Sequence, residues 1–260
     1  NLYGSIDWMG GPQLTQTLAS LAPRAISETH RMVDGQSRQL TSLVSGRLAL
    51  LGTGQAEGMT FSGQPAALLG TNGVSMATRL GLAQGPSQVV KLGGISGFVT
   101  GGGSLNRSSY GTGLNAARRD WHVASGLEVP LGRAMLGTAV GVAESRSTPG
   151  ADRADSRVTQ AAAYASLPLG GGAYAGAMLS GEIARTESTR LSTDGVSMLS
   201  LSGTGKATRL IGLAELGWRE GVGRGLFLTP RVQLGYDRMR LSGFDERGGE
   251  TALRLDGVAL

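Results

Sequence analysis

Five charged residues, Glu128, Glu182, Arg209, Glu215 and Arg231, fall inside segments where apolar residues otherwise recur at every second position. Four others, Arg31, Asp34, Arg38 and Arg47, flank an apolar stripe at helical spacing near the start of the chain. Types and spacing of this kind support ion pairing rather than bond-making. Buried in a dry β-sandwich, the strand-borne charges would need partners or be very costly; facing an aqueous or helix-filled interior they are ordinary. The expectation is that Arg31, Asp34, Arg38 and Arg47 meet wall residues such as Glu128, Glu182 and Glu215, with Arg209 and Arg231 lining the same interior.

Catalytic groups are scarce. His30 and His122 are the only imidazoles and stand outside any HExxH or similar metal-ligand spacing, so no metal is expected. Cysteine is absent, which removes disulfides and thiolate chemistry together. No Gly-x-Ser-x-Gly occurs in a strand-turn-helix setting, and the carboxylates Glu182, Glu187 and Asp194 show no acid-base arrangement. Neither a catalytic residue nor a cofactor is expected, and the chain reads as a non-enzyme. The net charge of +5 comes from 22 dispersed arginines and two lysines without interleaved aromatics, which gives nucleic-acid binding no support.

The elements that must position these charges are mostly strands. With 44 glycines and 5% aromatics, the alternating segments carry too little bulk for the inner layer of a sandwich and fit a wall better. Strands are expected near 92–101, 120–130, 133–145, 157–168, 172–186, 205–219, 225–241 and 250–259. Tight turns at 130–133, 169–172 and 220–225 alternate with longer polar connections at 102–119, 145–156, 187–205 and 244–250, as in barrels with short turns on one rim and long loops on the other. No stretch of 18 apolar residues argues for a helical span, but β-strands cross membranes without one. The lipid-facing side would carry Val123, Leu127 and Val129, then Leu136, Val140 and Val142, then Leu228, Val232 and Leu234. Trp121, Tyr174, Trp218 and Tyr236 would form an interfacial girdle.

Ahead of the strands, Leu14, Leu18 and Leu21 suggest one short helix ended by Pro23. A second follows, with Met32, Val33, Leu40, Leu43, Val44 and Leu48 in rhythm and its clearest part at 34–48. Residues 52–87 read either as two weak strands or as an ordered loop. The chain thus divides into a helical region at 1–51, a Gly/Ser-rich connection at 52–91 and a strand array at 92–260.

Several segments together resemble the C-terminal translocator domain of a type V autotransporter. They are the leucine-bearing stretch Gln13 to Leu48, Ile95-Ser96-Gly97-Phe98-Val99-Thr100, the run from Trp121 to Gly132, Leu213-Ala214-Glu215-Leu216-Gly217-Trp218-Arg219, and the run from Leu228 through Gly243-Phe244 to Leu253. The resemblance implies an all-β fold: a transmembrane antiparallel β-barrel, twelve-stranded in the family with about eight strands present here, threaded by an N-terminal pore helix. It implies an outer-membrane translocator that exports its own N-terminal passenger to the cell surface in a Gram-negative bacterium. Its implied partners are outer-membrane lipid, the passenger, periplasmic chaperones and the barrel assembly machinery. Because the chain stops at Ala259-Leu260, near the end of the eighth strand, it is expected to be part of a longer polypeptide. The linker offers no asparagine for intrabarrel self-cleavage. The rival expectation is a secreted, soluble Gly-rich β-domain with an adhesive or structural role.

Overall fold

A computed structural model of the protein describes residues 24–54, 59–69, 95–109, 115–193, 198–223, 226–249 and 252–259. Its first element is a 29-residue helix, α1 (Arg24–Gly52), which begins directly after Pro23 in the sequence and exceeds the expected 34–48 at both ends. The C-terminus closes on Gly54, whose φ of 70° is the left-handed conformation that ends many helices. There the Thr53 amide and hydroxyl both donate to the Ala49 carbonyl, at 3.1 and 2.8 Å, and cap an otherwise orphaned acceptor. The expected helix ahead of Pro23 lies outside the described residues.

The strands are β1 (Met59–Leu69), β2 (Ser96–Ser109), β3 (Asn115–Leu131), β4 (Ala134–Pro149), β5 (Arg153–Gly170), β6 (Ala173–Thr193), β7 (Met198–Trp218), β8 (Glu220–Gly223), β9 (Leu226–Leu228), β10 (Arg231–Leu241), β11 (Phe244–Arg247), β12 (Arg254–Leu255) and β13 (Val258–Ala259). Among the described residues the main sheet runs β1-β2-β3-β4-β5-β6-β7-β10-β13, with β11 and β12 beside it and β8 paired only with β9. From β2 to β10 every pairing is antiparallel. β1 instead pairs parallel with β2, from Met59 opposite Gly97 to Leu69 opposite Arg107, so the described part of the 52–91 connection includes a strand. β1 and β13 are the outer members of this order and are not paired with each other.

The expected alternation of short and long connections is not what the fold shows. Residues 145–149 and 153–156 continue β4 and β5 to a tight turn around Gly150, and residues 187–193 and 198–205 likewise extend β6 and β7. Residues 102–109 and 115–119 belong to β2 and β3, and 244–247 form β11 against β7. Most residues in these extensions are small or polar, which weakens the alternation of hydrophobicity that is the main sequence signal of a strand. At the opposite ends the turns are short as expected. Gly171 and Gly172, with φ of 61° and 80°, supply the two left-handed positions of a two-residue hairpin between β5 and β6.

Buried and exposed side chains alternate along the central strands. β4 presents Leu136, Thr138 and Val140 outward and buries Gly137, Ala139, Gly141 and Ala143. On the buried side, several glycines sit directly across from large rings: Gly126 opposite Phe98, Gly137 opposite Tyr164, and Gly217 opposite Tyr174. A Cβ at Gly137 would come within 2.3 Å of the Tyr164 ring, so the ring occupies the volume that glycine leaves empty. Tyr174 is wholly buried between Gly217 and Gly52 of α1 and cannot belong to an outer girdle. Its position is even-numbered on β6, in step with Met178 and Glu182, and that parity turns it inward. Trp121, Trp218 and Tyr236 do face outward.

Candidate functional site

The buried face of the sheet wraps α1, and residues on β2 to β7 and β10 all reach the helix. Met32, Val33, Leu40, Val44, Leu48 and Leu51 supply apolar contact, and Gln36, Ser37, Ser45 and Arg47 are buried with them. A helix buried on only one side would not need buried polar groups at so many angles. Here each polar group finds a partner on a different strand, as buried polar groups must.

Near the C-terminal end of α1, Arg47 and Glu128 form a bidentate pair. Nε donates to Oε1 and Nη2 to Oε2, each at 2.6 Å, with the side chains 4% and 0% exposed. The Ser96 hydroxyl donates to Glu128 Oε2 at 2.7 Å and the Tyr164 hydroxyl to Oε1 at 2.9 Å. The Arg47 guanidinium also lies 5.5 Å from the centre of the Phe98 ring. Paired, hydrogen-bonded and stacked, the two charges offset much of their desolvation penalty.

Two further carboxylates face the helix. Ser37 donates to Glu182 Oε2 at 2.5 Å while Gln160 donates to Oε1 at 2.9 Å. Glu215 accepts from Ser45 at 3.3 Å and from Gln233 at 2.6 Å, and Arg231 stands 3.9 Å away as its cationic neighbour. Arg231 and Gln233 each donate to the Ser45 hydroxyl as well, at 3.2 and 2.8 Å. The helix-side partners of these two acids are thus serines rather than the expected arginines.

Arg209 bridges wall and helix by donating to Asp237 on β10 and, at 3.2 Å, to Asp34 on α1. Among the described residues Arg38, 77% exposed, pairs along the helix with Asp34 at 2.9 Å rather than with a wall carboxylate. Arg31 is exposed on α1.

Other contacts were not foreseen. Gln36 and Ser156 exchange hydrogen bonds of 2.5 and 3.4 Å, Ser147 donates to Glu28, and Ser166 donates to the Leu48 carbonyl. Beyond them, Arg190 on β6 forms a bidentate pair with Glu246 on β11, at 2.9 and 2.7 Å, with both side chains 1% exposed. The Leu253 amide adds a bond to the same carboxylate at 2.9 Å. Arg190 shares the parity of Glu182 along β6, and that parity turns it inward.

These contacts fix a direction. The start of α1 lies beside Ser147, at the extended ends of the strands, and its end lies at Tyr174, beside the two-residue turns. A cavity of ≈ 220 Å³ remains between the first turns of the helix and the wall, lined in part by Thr29, His30, Val33, Met239 and Phe244. On the opposite face the large apolar residues are exposed, Leu179 and Ile183 at 58% each among them, and no helix of the described residues is long and apolar enough to cross a membrane. An exposed apolar surface on this scale marks contact with lipid or another apolar partner.

A family model described as "Autotransporter beta-domain" matches residues 97–259. Among solved structures, the chain is similar to the translocator domain of autotransporter NalP from Neisseria meningitidis, with 19% identity and a TM-score of 0.49, covering 64% of this chain and 56% of that one. The chain thus spans little more than half the length of that relative. No curated protein matches.

Proposed function

The chain belongs to the autotransporter β-domain family, and from that premise we propose that it is an outer-membrane translocator whose wall conducts an N-terminal passenger to the cell surface and then holds α1 in its interior. The observation that carries this reading is the course of α1: it runs through the collar of β2–β7 and β10, leading from the extended strand ends to the short-turn ends. A chain segment placed before residue 24 would therefore leave at the extended rim, the side that faces the exterior in barrels of this kind. The buried Arg47–Glu128 pair and the part-buried Asp34–Arg209 pair would then act as the tether. Outward residues such as Leu127, Val140, Leu179 and Leu216 would meet hydrocarbon.

On this reading the chain performs no chemistry of its own. Any enzymatic activity would reside in the passenger, and insertion would rely on periplasmic chaperones and the barrel assembly machinery. A soluble adhesive domain is disfavoured, since it would leave the outward apolar face in water.

The test is planar-bilayer conductance of the full-length gene product, together with protease access to an epitope placed before residue 24. Intact cells should expose the epitope, and deleting residues 24–52 should raise single-channel conductance. An epitope protected in intact cells, or protein recovered in soluble form without detergent, would sink the proposal.

A further inference from the structure

We infer that the outer face of β6 and β7 carries a docking site for the phosphate headgroup of an anionic lipid, seated on Arg185 and Lys206. This rests on the membrane placement proposed above. Outward positions on β3 through β7 carry no charge over a continuous band: 123–131 on β3, 134–142 on β4, 159–169 on β5, 173–183 on β6 and 208–218 on β7. That length matches the roughly 9–11 residues of a strand crossing hydrocarbon.

Directly beyond the band, one row of directly opposed residues crosses five strands: Trp121, Glu144, Arg157, Arg185 and Lys206. Its first part is neutralised internally. The Trp121 indole donates to Glu144 at 3.1 Å, and Arg157 pairs with Glu144 at 3.6 Å. Its second part is not. Arg185 and Lys206 face each other across the β6–β7 ladder, and among the described residues neither has an ion-pair partner. Like charges directly opposed destabilise an antiparallel pair, and an anion between them reverses the sign of that interaction.

The surroundings favour an amphiphile over a free ion. Arg185, Lys206 and Arg247 line a surface groove of ≈ 720 Å³, with the hydroxyls of Ser202 and Thr204 as further donors. Glu187 and Asp245 share the rim, but Asp245 is paired with Arg254 at 3.2 Å, which leaves the groove cationic. Immediately on the hydrocarbon side stand Ile183 and Leu179 of β6 and Leu210 of β7, all exposed. A phosphate on the cations thus places its acyl chains along an apolar wall, a combination that free phosphate cannot use.

The experiment places the full-length protein in nanodiscs of phosphatidylcholine doped with phosphatidylglycerol, and counts retained lipids by native mass spectrometry after release into neutral detergent. The expected result is preferential retention of phosphatidylglycerol, reduced about tenfold in R185Q/K206Q, restored in the charge-preserving R185K/K206R, and unchanged in R146Q, whose arginine pairs with Asp155. Equal retention of both lipids, loss equal in R146Q, or displacement by millimolar inorganic phosphate alone would overturn the inference. Failure of the wild-type protein to enter nanodiscs would instead overturn the membrane placement, and this inference with it.

Discussion

Arg47 on α1 and Glu128 on β3 join helix to wall through two 2.6 Å hydrogen bonds with almost no solvent exposure. Removing one partner of such a pair leaves an uncompensated buried charge, at a cost of about 3–5 kcal/mol. R47M should therefore lower the denaturant midpoint of the refolded protein strongly. The double variant R47M/E128L should lose less than the sum of the single changes, and strict additivity in that cycle would contradict direct coupling.

Gly137 lies beneath the Tyr164 ring, while Gly181 on the outward face of β6 meets nothing within 4 Å. G137L should destabilise the protein by roughly 1–3 kcal/mol through overpacking. G181L should be neutral. Heat-modifiability on gels would separate the two, and equal effects would remove the packing explanation.

Leu127 sits in the outward apolar band and Thr148 on the polar extension of β4. An arginine on the lipid face near the bilayer midplane costs roughly 2–4 kcal/mol. L127R should fold poorly into phospholipid vesicles, whereas T148R should insert like the parent. Similar yields would mean that Leu127 does not face hydrocarbon.

R190M should leave Glu246 buried without its arginine, and the loss should be local. Hydrogen exchange should rise in 244–255, where β11 and β12 depend on that carboxylate, while α1 amides keep their protection. A uniform rise across the molecule would show that the pair supports the whole wall instead.

The faces of the wall were legible wherever one side was apolar. Val123, Leu127 and Val129 alternate against Ala124, Gly126 and Glu128, and the period of two assigns each residue without further help. The same period was silent in 145–156, where Arg146 and Thr148 on one face and Ser145 and Ser147 on the other are all polar; strands there were read as loops. The buried acids Glu128, Glu182 and Glu215 stood out because charge within an alternating segment needs a polar interior. Their partners did not, since serine gives no signal in a sequence this rich in small residues. The Arg190–Glu246 pair joins two segments whose sequences lack regular apolar alternation, so nothing in either marks its charge as buried. Nearness to a strand end does not place Tyr174; its step along β6 turns it inward.

The rings of Phe98, Tyr164 and Tyr174 over Gly126, Gly137 and Gly217 bear on how such a wall finds its alignment. Sliding one strand past its neighbour by a single residue exchanges the faces and is forbidden by the hydrophobic pattern. Sliding by two leaves that pattern intact. It would, however, press Tyr164 onto Met135 or Ala139, and Phe98 onto Ala124 or Glu128, where no empty volume awaits a ring. The vacant glycine positions therefore serve as notches that count the strands into place, supplying in even steps the information that alternation supplies only in odd ones.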